Sequence, residues 1–244
     1  MGHPSHSVDC GSLNDALHLP VICESDPSSQ ALTTSEPILK PLNRKQVLSW
    51  LSENVPEKRL NHILRVEETA IKLAQYHDLD WERAAQAGLL HDLAKYFKPK
   101  RLLELAKADE LELDPMDEIN PHLLHADVGA IVAREEFGVC DAEVLAAIRN
   151  HTLGRPGMSL VSCVVFLADS MEPGRGDTLE LNELRKLSRK NLYRAVLQTC
   201  EDSMRSLFAK QGLIHPRALQ TRNWALQMAQ QSTTKGDKPK LSSS

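Results

Sequence analysis

Residues 81–95 read WERAAQAGLLHDLAK, and the rest of the chain is read outward from this stretch. Ala84, Ala87 and Leu90 recur at the period of a helix that turns one face to a core. Asp80, just before them, is a natural N-cap, so one helix is predicted from Trp81 through to Lys95. On such a helix positions 88, 91, 92 and 95 share a face. Gly88 then lies one turn before the adjacent pair His91 and Asp92, and Lys95 one turn after it. A mid-helix glycine costs about 1 kcal/mol relative to alanine, so Gly88 points to close approach by a neighbouring helix or a ligand. Neighbours on a helix differ by about 100° in direction, so His91 and Asp92 can face one cavity, and a carboxylate can offer one oxygen to each of two cations. Asp92 is therefore the predicted bridging ligand, and Lys95 is placed to meet a phosphate.

The same helical period continues on both sides. A short helix is expected over Leu42–Ser52, and Pro56 opens a second that carries His62 near its start and Leu60, Ile63, Leu64, Ala70 and Leu73 on its inner side. Pro99 opens another. Pro121 begins the segment that holds His125 and runs to Phe137, where Gly138 stops it. Asp141 caps a helix ending at His151 and Thr152 before Gly154, and Ser159 caps one that finishes at Asp169. Amphipathic helices follow near Thr178–Leu187, Arg189–Lys210 and Pro216–Gln231, without ligand-type clusters. The fold class is all-α, a helical bundle, and low aromatic content (4%) with long Leu, Ala, Glu, Lys and Arg stretches agrees with it.

The 244 residues suffice for one domain, taken as 42–231. Residues 1–41, rich in Ser, Pro and Thr, are expected to form a disordered extension, and 232–244 a short disordered tail. A formal charge of −4 leaves no basic footprint for nucleic acid, so an anionic ligand has to be small and held by a few local cations. The five cysteines, at 10, 23, 140, 163 and 200, include no C-x-x-C pair, which excludes zinc-finger readings and suits reduced thiols in the cytoplasm. No apolar run approaches the roughly 20 residues that cross a bilayer, so no membrane partner is expected. The first forty residues lack arginine and the apolar core of a signal peptide.

Taken singly, His62, His125 and Asp169 each have an ordinary structural reading, and His122 competes with His125 on the same helix face. Lys95 and Arg175 can equally be solvated. The ordered set is more specific. The order His62, His91-Asp92, His125, His151, Asp169 resembles the HD superfamily of metal-dependent phosphohydrolases in its two-metal form. The stretches AGLLHDLAK, LLHADVGA, IRNHTLG and LADSMEPGR resemble the YqeK family of HD-domain proteins over about residues 43–200. Ala126 departs from that pattern, since a glycine is expected after the histidine.

The resemblance implies hydrolysis of diadenosine tetraphosphate symmetrically into two ADP by a metal-bridged hydroxide. One divalent ion is held by His62, His91, Asp92 and Asp169, and a second by the shared Asp92 with His125 and His151. A di-iron centre is implied, and the imidazole and carboxylate donors also suit manganese, cobalt or zinc. Lys95 and Arg175 would neutralise charge on phosphoryl and leaving oxygens, Thr152 and Gly154 would shape the loop that admits the phosphate chain, and Arg155 is a further candidate contact. The partner expected is a dinucleoside polyphosphate, and a homodimer is left open. Two other readings compete: an HD phosphohydrolase of another nucleotide, and a helical regulatory module that binds a nucleotide without cleaving it.

Overall fold

The computed structural model describes residues 42–236, with side chains up to Ser232. The predicted extension at 1–41 and the end of the predicted tail lie outside the described residues. Among the described residues every regular element is helical: α1 Arg44–Asn54, α2 Glu57–Tyr76, α3 Trp81–Leu90, α4 Pro99–Ala108, α5 Pro115–Ile119, α6 His125–Phe137, α7 Ala142–Asn150, α8 Leu160–Met171, α9 Leu179–Lys190, α10 Leu192–Ala209 and α11 Pro216–Gly236. A 3-10 turn at Pro121–Leu124 leads into α6, and another at Pro173–Arg175 follows α8. None of these helices is long and apolar enough to cross a membrane.

Local chemistry sets most helix starts. The side chains of Asp80, Asp141, Ser159, Thr178 and Asn191 each accept a backbone N–H in the first turn of the helix that follows. Gly138, at φ 66°, takes the left-handed conformation that ends α6. α8 is the centre. Val161 through Ala168 are all buried, so this helix is apolar all round, and α2, α3, α7, α9 and α10 pack about it. α11 lies along α10.

Two expectations change. The last helix runs past Gln231 to Gly236. The helix predicted to reach Lys95 stops at Leu90, and His91 to Tyr96 continue as successive tight turns with backbone bonds from Leu93 to Leu90, Lys95 to Asp92 and Phe97 to Ala94. A cause is visible at the first of these residues: the His91 ring donates from Nδ1 to the Gly88 carbonyl at 2.7 Å, the acceptor a continuing helix would give to the Asp92 N–H. The HD pair is thus presented from turns rather than from a helix face. Gly88 serves helix packing. A Cβ there would sit 3.0 Å from the Glu67 Cα, so its absence lets α3 lie close against α2 and brings His91 beside His62.

Candidate active site

Five elements deliver the six predicted ligands to one place. His62 comes from the second turn of α2, and His91 and Asp92 follow α3. His125 opens α6, His151 caps α7, and Asp169 lies in the last turn of α8. The four imidazoles form a chain of edge-on neighbours, with ring centroids 5.4 Å apart for His62 and His91, 4.9 Å for His91 and His151, and 5.0 Å for His125 and His151. All four rings and Asp92 are buried, whereas the Asp169 side chain is 21% exposed and marks the open side. His122, the competing candidate, is exposed and contributes only its carbonyl.

The hydrogen bonds fix which ring nitrogens are free. Carbonyl oxygens only accept, so the Nδ1 atoms of His91, His125 and His151 must carry protons to donate to Gly88, His122 and Ile148 at 2.7, 2.5 and 2.8 Å. Burial, followed by His151 and Lys95, pushes His125 down to about 3, so that ring is neutral and its Nε2 is a bare lone pair. It faces the Nε2 of His151 at 3.1 Å. At the other end His62 donates from Nδ1 to Glu172 at 3.0 Å and turns Nε2 toward Asp169 at 3.1 Å. A proton or another cation has to stand between those last two atoms.

Both ligand carboxylates are held as anions. Burial opposes the charge of Asp92, but His91 and His151 outweigh it and keep the carboxyl well below its ordinary range. Asp169 is lowered in the same way, against burial, by His62, His91, His151 and Arg175. The two oxygens of Asp92 divide the work: Oδ2 lies 3.3 Å from His91 Nε2 and 3.9 Å from His62 Nε2, and Oδ1 lies 3.5 and 3.6 Å from the Nε2 atoms of His125 and His151. His62, His91 and Asp92 make one group of donors able to hold an ion, and Asp92, His125 and His151 make a second. Asp169 joins the first, 3.1 and 4.0 Å from its two imidazoles.

A cation fits this arrangement. Ions bound by nitrogen and oxygen at about 2.0 to 2.2 Å hold neighbouring donors about 3 to 4 Å apart, and every spacing above falls in that range. His62 Nε2, His91 Nε2 and Asp92 Oδ1 are buried without a hydrogen-bond partner, an arrangement that is costly unless something positive satisfies them.

The remaining predicted residues surround this cluster. Lys95 Nζ lies 3.0 Å from His125 Nε2, and Thr152 Oγ1 lies 3.1 and 3.0 Å from the Nε2 atoms of His125 and His151, so both face the second group. Arg175 reaches back to Asp169, binding its carbonyl at 2.8 Å and its carboxylate at 2.5 Å. Gly154, at φ 63°, shapes its loop by packing: a Cβ would overlap the Thr221 methyl of α11. Arg155 is exposed, 4.0 Å from Asp127. α11 grips the same region, with Arg217 on Asp127 at 2.9 Å, and His215, the residue before this helix, has Nε2 3.3 Å from Asp117 of α5.

Two residues beyond the predicted set support the ligands. Glu172 is 1% exposed; Arg65, His62 and the Gly174 N–H hold it below its ordinary range against burial. It orients the His62 ring as an outer carboxylate commonly does for a metal-binding histidine. Arg59 donates to Asp92 Oδ2 at 2.8 Å. The only sequence signal for Glu172 was its place in LADSMEPGR, three residues beyond Asp169 and directly before Pro173.

This constellation is that of an HD domain, and the HD domain model matches residues 59–174. A symmetrical bis(5'-nucleosyl)-tetraphosphatase of Bacillus subtilis is 35% identical over 75% of this chain and 97% of its own length, and one of Staphylococcus aureus is 40% identical over 55% and 69%. A crystal structure from Clostridium acetobutylicum, described as a predicted HD superfamily hydrolase involved in NAD metabolism, superposes with a TM-score of 0.73 at 35% identity, covering 75% of this chain and 97% of that one. The chain is an HD-domain hydrolase. Within that class it belongs to the YqeK-type family of symmetrical bis(5'-nucleosyl)-tetraphosphatases.

Proposed function

We propose that the protein hydrolyses diadenosine tetraphosphate and related dinucleoside tetraphosphates symmetrically, giving two ADP from the adenine compound. The observation that carries this reading is the division of Asp92, whose two oxygens each face a separate pair of imidazoles. His62, His91, Asp92 and Asp169 would hold one divalent ion, and Asp92, His125 and His151 the other. Iron is preferred by analogy with the family, and manganese, cobalt and zinc suit the same donors. A bound pair of ions supplies the Lewis acidity that makes water a nucleophile near neutral pH and clamps a phosphoryl oxygen.

The protein's own share is to position and neutralise. Water adds to one inner phosphorus in line, a new P–O bond forms, and the bond to the oxygen linking the two inner phosphates breaks. That oxygen leaves with the second ADP. Lys95 and Thr152, which lie beside the second pair of imidazoles, would hold a non-bridging oxygen of the attacked phosphate, and Arg175, bound to Asp169, would meet charge on the leaving side. The nucleophile needs no serine or cysteine.

The test is product analysis. Metal-loaded protein incubated with diadenosine tetraphosphate is expected to yield ADP alone, and Asp92→Ala to lose bound metal and activity together. AMP plus ATP as products, or an Asp92→Ala protein with full metal occupancy, would overturn the proposal.

A further inference from the structure

A cavity of about 460 Å³ opens directly onto His62, on the Asp169 side of the cluster. This is within the size range of small-molecule sites. Its wall carries Lys58, Arg59, Arg65 and Arg175, four cations against the single carboxylate Glu172, with Tyr96 beside them. Lys58, Arg59, His62 and Arg65 come from one face of α2, at the three- and four-residue spacings that align side chains. The excess of positive charge is local, on a chain whose formal charge is −4.

Three of the four cations are already fixed by carboxylates. Arg59 uses Nη1 on Asp92, Arg65 uses Nε and Nη2 on Glu172, and Arg175 uses Nη2 on the Asp169 carboxylate with Nε on its backbone carbonyl. Each guanidinium is held still with donors to spare, which lowers the cost of ordering it round a second anion. Lys58 differs. It is exposed, and among the described residues no carboxylate lies within ion-pair distance of it. A second cavity, about 450 Å³, lies against α2 and α9, but its Arg185 is occupied by the carbonyls of Met171, Glu172 and Gly176.

We infer that the cavity over His62 is the subsite for the leaving nucleoside diphosphate, with Arg59, beside Asp92, on its inner phosphate and Lys58 on the phosphate furthest from the attacked phosphorus. This rests on the tetraphosphate reading above. It adds a polarity to the substrate: the attacked phosphate lies by Lys95 and Thr152, and the departing half runs out along the first two turns of α2. Recognition by charge at that distance selects a long phosphate chain over a short one.

Lys58 makes the test clean, because it is exposed and touches none of the ligands. In the metal-loaded enzyme, Lys58→Ala and Lys58→Glu are expected to raise KM for diadenosine tetraphosphate by about tenfold or more, well beyond any fall in kcat, with Lys58→Arg close to wild type. Calorimetry with ADP and AMP reads the subsite without turnover: the wild type is expected to prefer ADP, and Lys58→Glu to lose that preference. If diadenosine tetraphosphate is cleaved but Lys58→Glu leaves KM and the ADP preference unchanged, the subsite is refuted and the tetraphosphatase reading stands. If it is not cleaved but Lys58→Glu abolishes the ADP preference, the tetraphosphatase reading fails and the cavity remains a diphosphate site.

Discussion

Glu172 offers the sharpest test of how the cluster is held, because it touches His62, a proposed ligand, without belonging to the proposed set. Replacing it with alanine removes the acceptor for His62 Nδ1 and for two Arg65 nitrogens in a nearly closed site. Breaking a buried charge pair costs about 3 to 5 kcal/mol. The Arg65 side chain is 36% exposed and can rehydrate, so the loss is nearer about 2 kcal/mol, or a fall in Tm of roughly 4 to 8 °C for a domain of this size. The functional effect is separable: with Nδ1 unanchored the imidazole can turn, and loss of such an outer carboxylate lowers metal affinity about 10- to 100-fold. Glu172→Gln keeps the volume and an acceptor for His62 but sets an amide N–H against Arg65, so it falls between the two. Metal titration with calorimetry, alongside thermal melts, separates fold from site. The sign with pH follows from the lowered carboxyl: Glu172 stabilises at neutral pH, and its contribution is lost as pH falls through its folded value. A Glu172→Ala protein that binds two ions with unchanged affinity would refute the reasoning.

Lys95→Ala is expected to retain metal and lose about 100-fold in kcat, the usual scale for one electrostatic contact in the transition state; equal turnover would remove Lys95 from the site. Gly154→Ala combines a left-handed backbone with overlap on Thr221 and should cost about 2 to 4 kcal/mol. Thr221→Ser in that background removes the overlapped methyl and should return the packing share, so an unchanged melting curve for the pair would contradict the packing account. Burial raises the thiols of Cys163 and Cys200 to about 12, so in native protein at pH 8 alkylating reagents should leave both unmodified until denaturant is added. Unfolded thiols ionise above about pH 9, and the folded ones stay protonated to higher pH. The stability these two lend is therefore full below that point and declines from there toward pH 12, a trend that alkaline melts of Cys163→Ala would show weakened.

Much of the fold was legible because helix starts are written locally. Asp80, Asp141 and Ser159 each bond the turn that immediately follows, so three or four residues suffice to read them. The candidate site was legible as an ordered pattern, and the structure brings its six residues together. What failed was the helix end at Leu90, where a side chain takes a carbonyl the backbone was expected to use. Glu172 went unread because its role needs α2 and the turn after α8 to meet, a contact between residues 107 and 110 positions apart. The same holds for Gly154, which reads as a loop glycine until α11 is seen against it.

The grip of α11 on the site has a consequence for the order of assembly. Every proposed metal donor has been synthesised once the chain reaches Asp169, yet Arg217 and Thr221, which brace the segments bearing His125 and His151, come much later. The contacts of this last helix to Asp127 and Gly154 therefore form after all six proposed donors are present, and the half bounded by His125 and His151 gains its final support from the end of the chain.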